Sequence, residues 1–219
     1  MLTELEFMDR PIGKIVRYAY PGMFGVDNFA VRVQPVHVHD ARASRHSFSI
    51  NEQGFCLHAC PTTFADFGDS GTIRRRYFPE VEEIVRVVLN AQDAVAFSYA
   101  MVSSRPEVSS LPSAQGPAYM AHNDYTRDIV PTRLPEILGA ERARHWACGR
   151  VVQVNVWRPI KASVEEAPLA LCDGRTVDWN DLIPAEFRHR DRTSELGFLR
   201  FDPRQEWWYW PRIDPSEVL

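Results

Sequence analysis

Apolar and polar positions alternate with a period of two along several short stretches of this chain, the signature of strands with one buried face. Phe29, Val31, Val33, Val36 and Val38 mark one such stretch. Val151-Val152-Gln153-Val154-Asn155-Val156-Trp157 carries the strongest β signal, and Pro159 ends it. Shorter strand-like runs are Phe48-Ser49-Ile50 entering a turn at Gly54-Phe55, then Ala94–Tyr99, Pro168–Asp173 and the aromatic Glu206–Pro211. Helical spacing is confined to two places. Val81, Ile84, Val85, Val88 and Leu89 predict a helix over Pro79–Asn90, with Glu80, Glu82 and Glu83 in its first turn, where carboxylates suit the helix dipole. A second helix is predicted over Leu134–Trp146. The 16 prolines and 11 glycines are spread throughout, so the elements are short. The pattern predicts a mainly β fold with flanking helices, a jelly-roll sandwich. The Ser-, Pro- and Gly-rich Val102–Gly116 reads as a loop just before a candidate site, either a lid or a plain surface excursion.

Length narrows this to one domain spanning residues 1–219, since a β-sandwich of 219 residues commonly closes a single core. Charge removes a class of partners. With 25 basic and 29 acidic side chains the net charge is −4, and the lone basic triplet Arg74-Arg75-Arg76 reads as a solvated turn before a helix, so nucleic acid is not an expected partner. The acidic start Met1-Leu2-Thr3-Glu4-Leu5-Glu6 lacks the order of a secretory signal, and no window approaches the ~18 apolar residues of a membrane span. A cytoplasmic protein without membrane contact is expected. Cys56, Cys60, Cys148 and Cys172 form no paired Cys-x-x-Cys units and read as reduced thiols.

Chemistry concentrates at His122-Asn123-Asp124. Residues i and i+2 of a strand project from one face, so this imidazole and carboxylate can reach a common point, as two corners of a 2-His-1-carboxylate iron site. The same spacing also suits a plain hydrogen-bonded surface pair. His37 and His39 repeat the spacing beside Asp40, but between Val36 and Val38 they read as the polar face of a half-exposed strand. Among later histidines, His145 lies in a predicted helix with Arg142 and Arg144, and His189 lies between Arg188 and Arg190; neither suits a metal ligand. Arg158 has two readings, a bidentate carboxylate clamp or a buried pair with Asp173 or Glu165. Asn155 and Trp157 alternate with valines and are expected to share a face that lines a pocket.

Several blocks together resemble one family, the iron/2-oxoglutarate-type hydroxylases and desaturases of fungal and bacterial secondary metabolism. They are Asp40-Ala41-Arg42, Gln53-Gly54-Phe55, Tyr77-Phe78-Pro79-Glu80-Val81-Glu82, His122-Asn123-Asp124-Tyr125-Thr126, Asn155-Val156-Trp157-Arg158-Pro159, Ala167-Pro168-Leu169-Ala170-Leu171-Cys172-Asp173 and Trp208-Tyr209-Trp210-Pro211. The resemblance implies a distorted jelly roll that uses Fe(II) and 2-oxoglutarate to hydroxylate or desaturate a small molecule. It implies His122 and Asp124 as metal ligands, with Tyr125, Asn155, Trp157 and Arg158 near cofactor or substrate. In family members the chain continues to a His-Thr-Ala-Phe-like segment, which supplies the second histidine, and then to a basic residue that grips 2-oxoglutarate. This sequence stops before both, so no histidine in it is expected to complete the triad, and weak iron binding follows. The alternative is a shortened relative that keeps the jelly roll as a small-molecule or partner-binding module. An aromatic strand near the C-terminus would leave a sheet edge for a homodimer to cover.

Overall fold

The computed structural model describes residues 1–9, 13–18, 28–105, 114–126, 129–188 and 193–219. In chain order its strands are β1 (Leu2–Met8), β2 (Ile15–Tyr18), β3 (Val31–Asp40), β4 (His58–Ala59), β5 (His122–Asn123), β6 (Leu171–Cys172), β7 (Leu182–Arg188), β8 (Thr193–Leu199), β9 (Trp207–Tyr209) and β10 (Glu217–Val218). The α-helices are α1 (Ser70–Thr72), α2 (Phe78–Leu89), α3 (Val130–Leu138) and α4 (Ala140–Trp146). The chain divides into two compact units, one from residues 1–38, 118–153 and 176–207, the other from 39–117, 154–175 and 208–219. Two of the five boundaries, 38/39 and 207/208, fall within β3 and β9.

The first unit carries a sheet in the order β2-β7-β8-β5, with β2 parallel to β7 and the other pairs antiparallel. Its two faces differ because side chains alternate. The registers Ile15↔Ala185, Ala185↔Leu196, Ile183↔Phe198 and His122↔Phe198 put these residues on one face, together with Arg17, opposite Phe187. Met8, Ile15, Met120, Ala185 and Phe198 form the buried core there, packed by Phe29, Ile183, Phe187 and Leu196. The opposite face is charged: Glu186 pairs with Lys14 and, at 3.0 Å, with Arg188. Gly197 sits on that outer face between Asn123 and Pro184. A Cβ there would overlap Leu182 Cγ and lie 2.8 Å from each of its Cδ atoms. Gly197→Ala is therefore expected to lower stability by about 1–3 kcal/mol through overpacking. A urea midpoint equal to wild type would show instead that Leu182 moves aside freely.

The second unit has two apolar clusters. Ala41, Phe55, Trp208, Trp210 and Ile213 form one, joined by Phe48, Leu57, Trp157, Leu171 and Leu219. Phe64, Phe67, Ile73, Phe78 and Met101 form the other, joined by Tyr77 and Tyr99. Helix α1 begins at Asp69, whose carboxylate accepts the Thr72 N–H at 2.6 Å, and continues through a wide turn at Ile73–Tyr77 into α2. The basic triplet thus lies inside a helical run rather than in a turn before one, and the Arg74 guanidinium rests 5.3 Å from the Phe78 ring. Asp173 is 1% exposed and takes a forked bond from Arg175, Nε to Oδ1 at 3.0 Å and Nη2 to Oδ2 at 2.7 Å.

That fork holds the Asp173 carboxyl below its ordinary value, against the effect of burial. A carboxyl whose folded pKa is depressed adds stability above its unfolded pKa of about 3.9, and that stability is lost as pH falls through the folded value. Wild type is therefore expected to lose stability below about pH 4 more steeply than Asp173→Asn. Parallel acid-unfolding slopes for the two proteins would refute this.

The predicted strand at Asn28–Val38 is present as β3, the predicted helix over Pro79–Asn90 as α2, and the C-terminal aromatic strand as β9. The helix predicted over Leu134–Trp146 begins earlier and is broken at Gly139, where φ is 77°, giving α3 and α4. Val151–Trp157 joins no ladder. Trp157 exchanges backbone bonds with Leu219 at 2.8 and 2.9 Å. Of Val102–Gly116, the ends meet through Ser103 N–H to Gln115 O at 2.9 Å, and residues 106–113, which the lid expectation needs, lie outside the described residues.

Candidate metal centre

The segment bearing the His-x-Asp motif is held from both sides within the first unit. On one side the Glu6 N–H donates to Tyr119 O at 3.2 Å and the Ala121 N–H to Glu6 O at 2.8 Å. On the other, Leu199 N–H donates to Ala121 O at 2.9 Å, and His122 and Asn123 pair with Phe198 and Gly197. The period of two then sends Met120 into the core, at 6% exposure, and His122 toward the same face. Beyond the motif, buried Thr126 donates its hydroxyl to Glu195 on the outer face of β8, which pins the exit of the segment.

The two side chains converge. His122 Nε2 lies 3.4 Å from Asp124 Oδ1, with the side chains 28% and 44% exposed. Adjacent corners around an octahedral cation with bonds of roughly 2.1 Å are about 3 Å apart, so the pair is spaced as two ligands of one ion. The imidazole is also oriented. His122 Nδ1 sits 2.7 Å from Met120 O, and a proton on Nδ1 leaves the Nε2 lone pair toward Asp124. Metal-binding histidines are commonly fixed in this way through the other ring nitrogen. The bond to Asp124 raises the His122 pKa above its ordinary value, opposed by partial burial and by the Arg17 guanidinium. A metal on Nε2 replaces the proton so favoured. The donor set, one neutral nitrogen and one carboxylate oxygen, suits Fe(II).

Among the described residues no third histidine, cysteine or carboxylate joins the pair in a metal-holding group. His145 is on the exposed side of α4, and His189 lies outside the described residues. Tyr125 is half-buried directly after the pair.

The other residues singled out in the sequence lie in the second unit. Asn155 is exposed, and Trp157 packs into the aromatic cluster of Trp208 and Trp210. Arg158 is turned inward, its side chain 3% exposed. Its Nε donates to Tyr77 Oη at 2.7 Å, and its Nη1 to Cys60 O at 2.6 Å and Pro215 O at 2.7 Å. Its carboxylate neighbour is Glu80, at 3.5 Å, instead of the expected Asp173 or Glu165, because Arg175 already takes Asp173. The sequence reading missed Arg17, Phe187 and Phe198, the inner-face residues around His122. The alternation in Leu182–Arg188 and Thr193–Leu199 was the available signal.

The family model described as "Oxidoreductase/YMDC permease-like domain" matches residues 5–219. The Fe(II)/2-oxoglutarate-dependent dioxygenase nvfI of Aspergillus novofumigatus (strain IBT 16806) is 32% identical over 200 residues, covering 87% of this chain and 70% of that protein. The chain belongs to this family of iron- and 2-oxoglutarate-dependent oxygenases. A further member, the hydroxylase/desaturase efuI of Hormonema carpetanum, is 24% identical over 224 residues, covering 90% of this chain and 74% of its own length. The solved structure of the iron and alpha-ketoglutarate-dependent endoperoxidase NvfI superposes on all of this chain, 100%, and on 82% of its own, with a TM-score of 0.83 at 26% identity. The oxygenase fold is thus the mainly β jelly roll expected from the sequence. No helix among the described residues is long and apolar enough to cross a membrane, whatever the family description's wording.

Proposed function

We propose that this oxygenase hydroxylates or desaturates a small secondary metabolite at a non-haem iron held by His122 and Asp124. The observation that carries the proposal is the convergence of an oriented imidazole and a carboxylate, 3.4 Å apart, beside an aromatic-lined face. Fe(II) and 2-oxoglutarate, when bound, supply with dioxygen the oxidising power that unactivated C–H bonds require. The rest falls to the chain. The Met120 carbonyl holds the proton on His122 Nδ1 and keeps Nε2 available. The half-buried Phe29 and Phe187, backed by the buried Phe198, give an apolar substrate a dry surface and exclude water from the reacting carbon. The reading keeps residues 1–219 as one domain, supported by each unit being assembled from separated stretches of chain. A cytoplasmic setting agrees with four free cysteines.

The direct test is binding of Mn(II), a redox-inert stand-in, followed by paramagnetic resonance, together with oxygen-dependent succinate release from 2-oxoglutarate. Wild type should bind Mn(II) with nitrogen coupling, and His122→Ala should abolish the coupling. Mn(II) binding indifferent to both His122 and Asp124 would sink the proposal.

A further inference from the structure

A cleft of about 450 Å³ opens in the first unit, lined by Phe7, Met8, Asp9, Arg32, Gln34, Arg200 and Phe201. Small-molecule pockets measure roughly 300–1,000 Å³ and set a few polar groups into an apolar surface. The lining includes neither member of the His122–Asp124 pair and none of Phe29, Phe187 and Phe198.

Two pieces of chain build this cleft. In the β1–β3 ladder Phe7 stands opposite Arg32 and Leu5 opposite Gln34, so the Phe7 ring, the Arg32 guanidinium and the Gln34 amide leave the sheet on one side. The chain leaving β8 is tied at Arg200, whose N–H donates to Asp181 O at 2.8 Å and whose carbonyl accepts from Gln205 Nε2 at 2.8 Å. Phe201 then meets Phe7 edge to face, with ring centroids 5.3 Å apart. Phe7 is fully buried, whereas Phe201 remains 37% exposed.

The lining holds two guanidiniums and one carboxylate. Arg32 Nη2 donates to Asp9 Oδ2 at 3.3 Å, so these two charges offset each other and Arg200 is the cation in excess. Its ion-pair partner, Asp181 Oδ1, is outside the lining and 3.6 Å from Nη1, beyond hydrogen-bond reach. Among the described residues the Arg200 guanidinium donates no hydrogen bond, and its side chain is only 35% exposed. Such a group is partly stripped of water and given no acceptor in return. A carboxylate meets that need, since it accepts two coplanar N–H bonds from a guanidinium.

We propose that this cleft binds a small carboxylic acid with a flat apolar body, its carboxylate on Arg200 and its body against Phe201 and Phe7. The inference is independent of the iron reading given above.

The experiment titrates 1-naphthoate and its uncharged counterpart 1-naphthamide into the full chain without metal, by calorimetry. Wild type is compared with Arg200→Met, Arg200→Lys and Phe201→Ala. Wild type is expected to bind the acid about tenfold or more tightly than the amide, the lower end for a charged hydrogen-bonded contact. Arg200→Met should reduce that preference to less than about twofold, and Arg200→Lys should retain part of it. Phe201→Ala should weaken acid and amide by a similar factor, because it removes apolar contact and leaves the charge. 2-Oxoglutarate, which lacks the flat body, should not compete at the same concentration as naphthoate. Equal binding of acid and amide by wild type, a preference that survives in Arg200→Met, an affinity indifferent to Phe201→Ala, or competition on equal terms by 2-oxoglutarate overturns the proposal. Should Arg200→Met fail to fold, Arg200→Gln carries the same comparison.

Discussion

Asp124→Asn is expected to lower iron-dependent 2-oxoglutarate turnover by more than about a hundredfold, because partners one step removed from a metal ligand are already worth roughly 10–100-fold. The substitution keeps the shape of the side chain and removes its charge. With the charge goes the anionic oxygen that stands 3.4 Å from His122 Nε2. The fold has little reason to change, since the segment is held by backbone bonds at Glu6, Ala121 and Leu199 and by Thr126. Succinate release and circular dichroism together read the result. Activity within about threefold of wild type, with the fold intact, would mean that Asp124 is no ligand.

Arg158→Met should destabilise the protein by about 3–5 kcal/mol, the cost of breaking a buried ion pair from one side. The guanidinium, 3% exposed, ties Tyr77, Cys60 and Pro215 together and faces the Glu80 carboxylate at 3.5 Å. Without it two carbonyls and a phenol oxygen lose their donor, and the Glu80 carboxylate loses its counter-charge. Thr62 Oγ1 still donates to Glu80 Oε2 at 2.7 Å, and Glu80 keeps 31% exposure, so Glu80→Gln should cost less. The double variant should recover part of the loss, since the two residues interact. Urea midpoints decide this. A loss under about 1 kcal/mol would show that these donors do not hold the unit together.

The sequence pointed to the His122–Asp124 pair more readily than to its surroundings. A strand's period of two was enough to suggest that His122 and Asp124 meet, and it needs no knowledge of the neighbouring strand, although β5 ends at Asn123 and Asp124 lies in the bend just beyond it. Arg17 and Phe198 join them only through two ladders, β2 with β7 and β5 with β8, whose partners lie far apart along the chain. Local pattern cannot supply that pairing. Val151–Trp157 shows the opposite error: a strong intrinsic preference that forms no strand, since β propensity becomes a strand only where a second chain segment takes up its hydrogen bonds in a ladder. For Arg158 the sequence offered a carboxylate clamp or a pair with Asp173 or Glu165, and the carboxylate found beside it, Glu80, lies on a helix distant in sequence.

The pairing of β5 with β8 also sets a timetable. As the chain leaves the ribosome, the His122–Asp124 segment emerges well before Phe198 and Gly197, the residues that flank it. Closing so long a loop is slow relative to local structure. His122 therefore gains its ladder partner only once β8 has been made, although Glu6 is there earlier to hold the preceding residues. On the iron reading proposed above, metal loading would follow completion of β8.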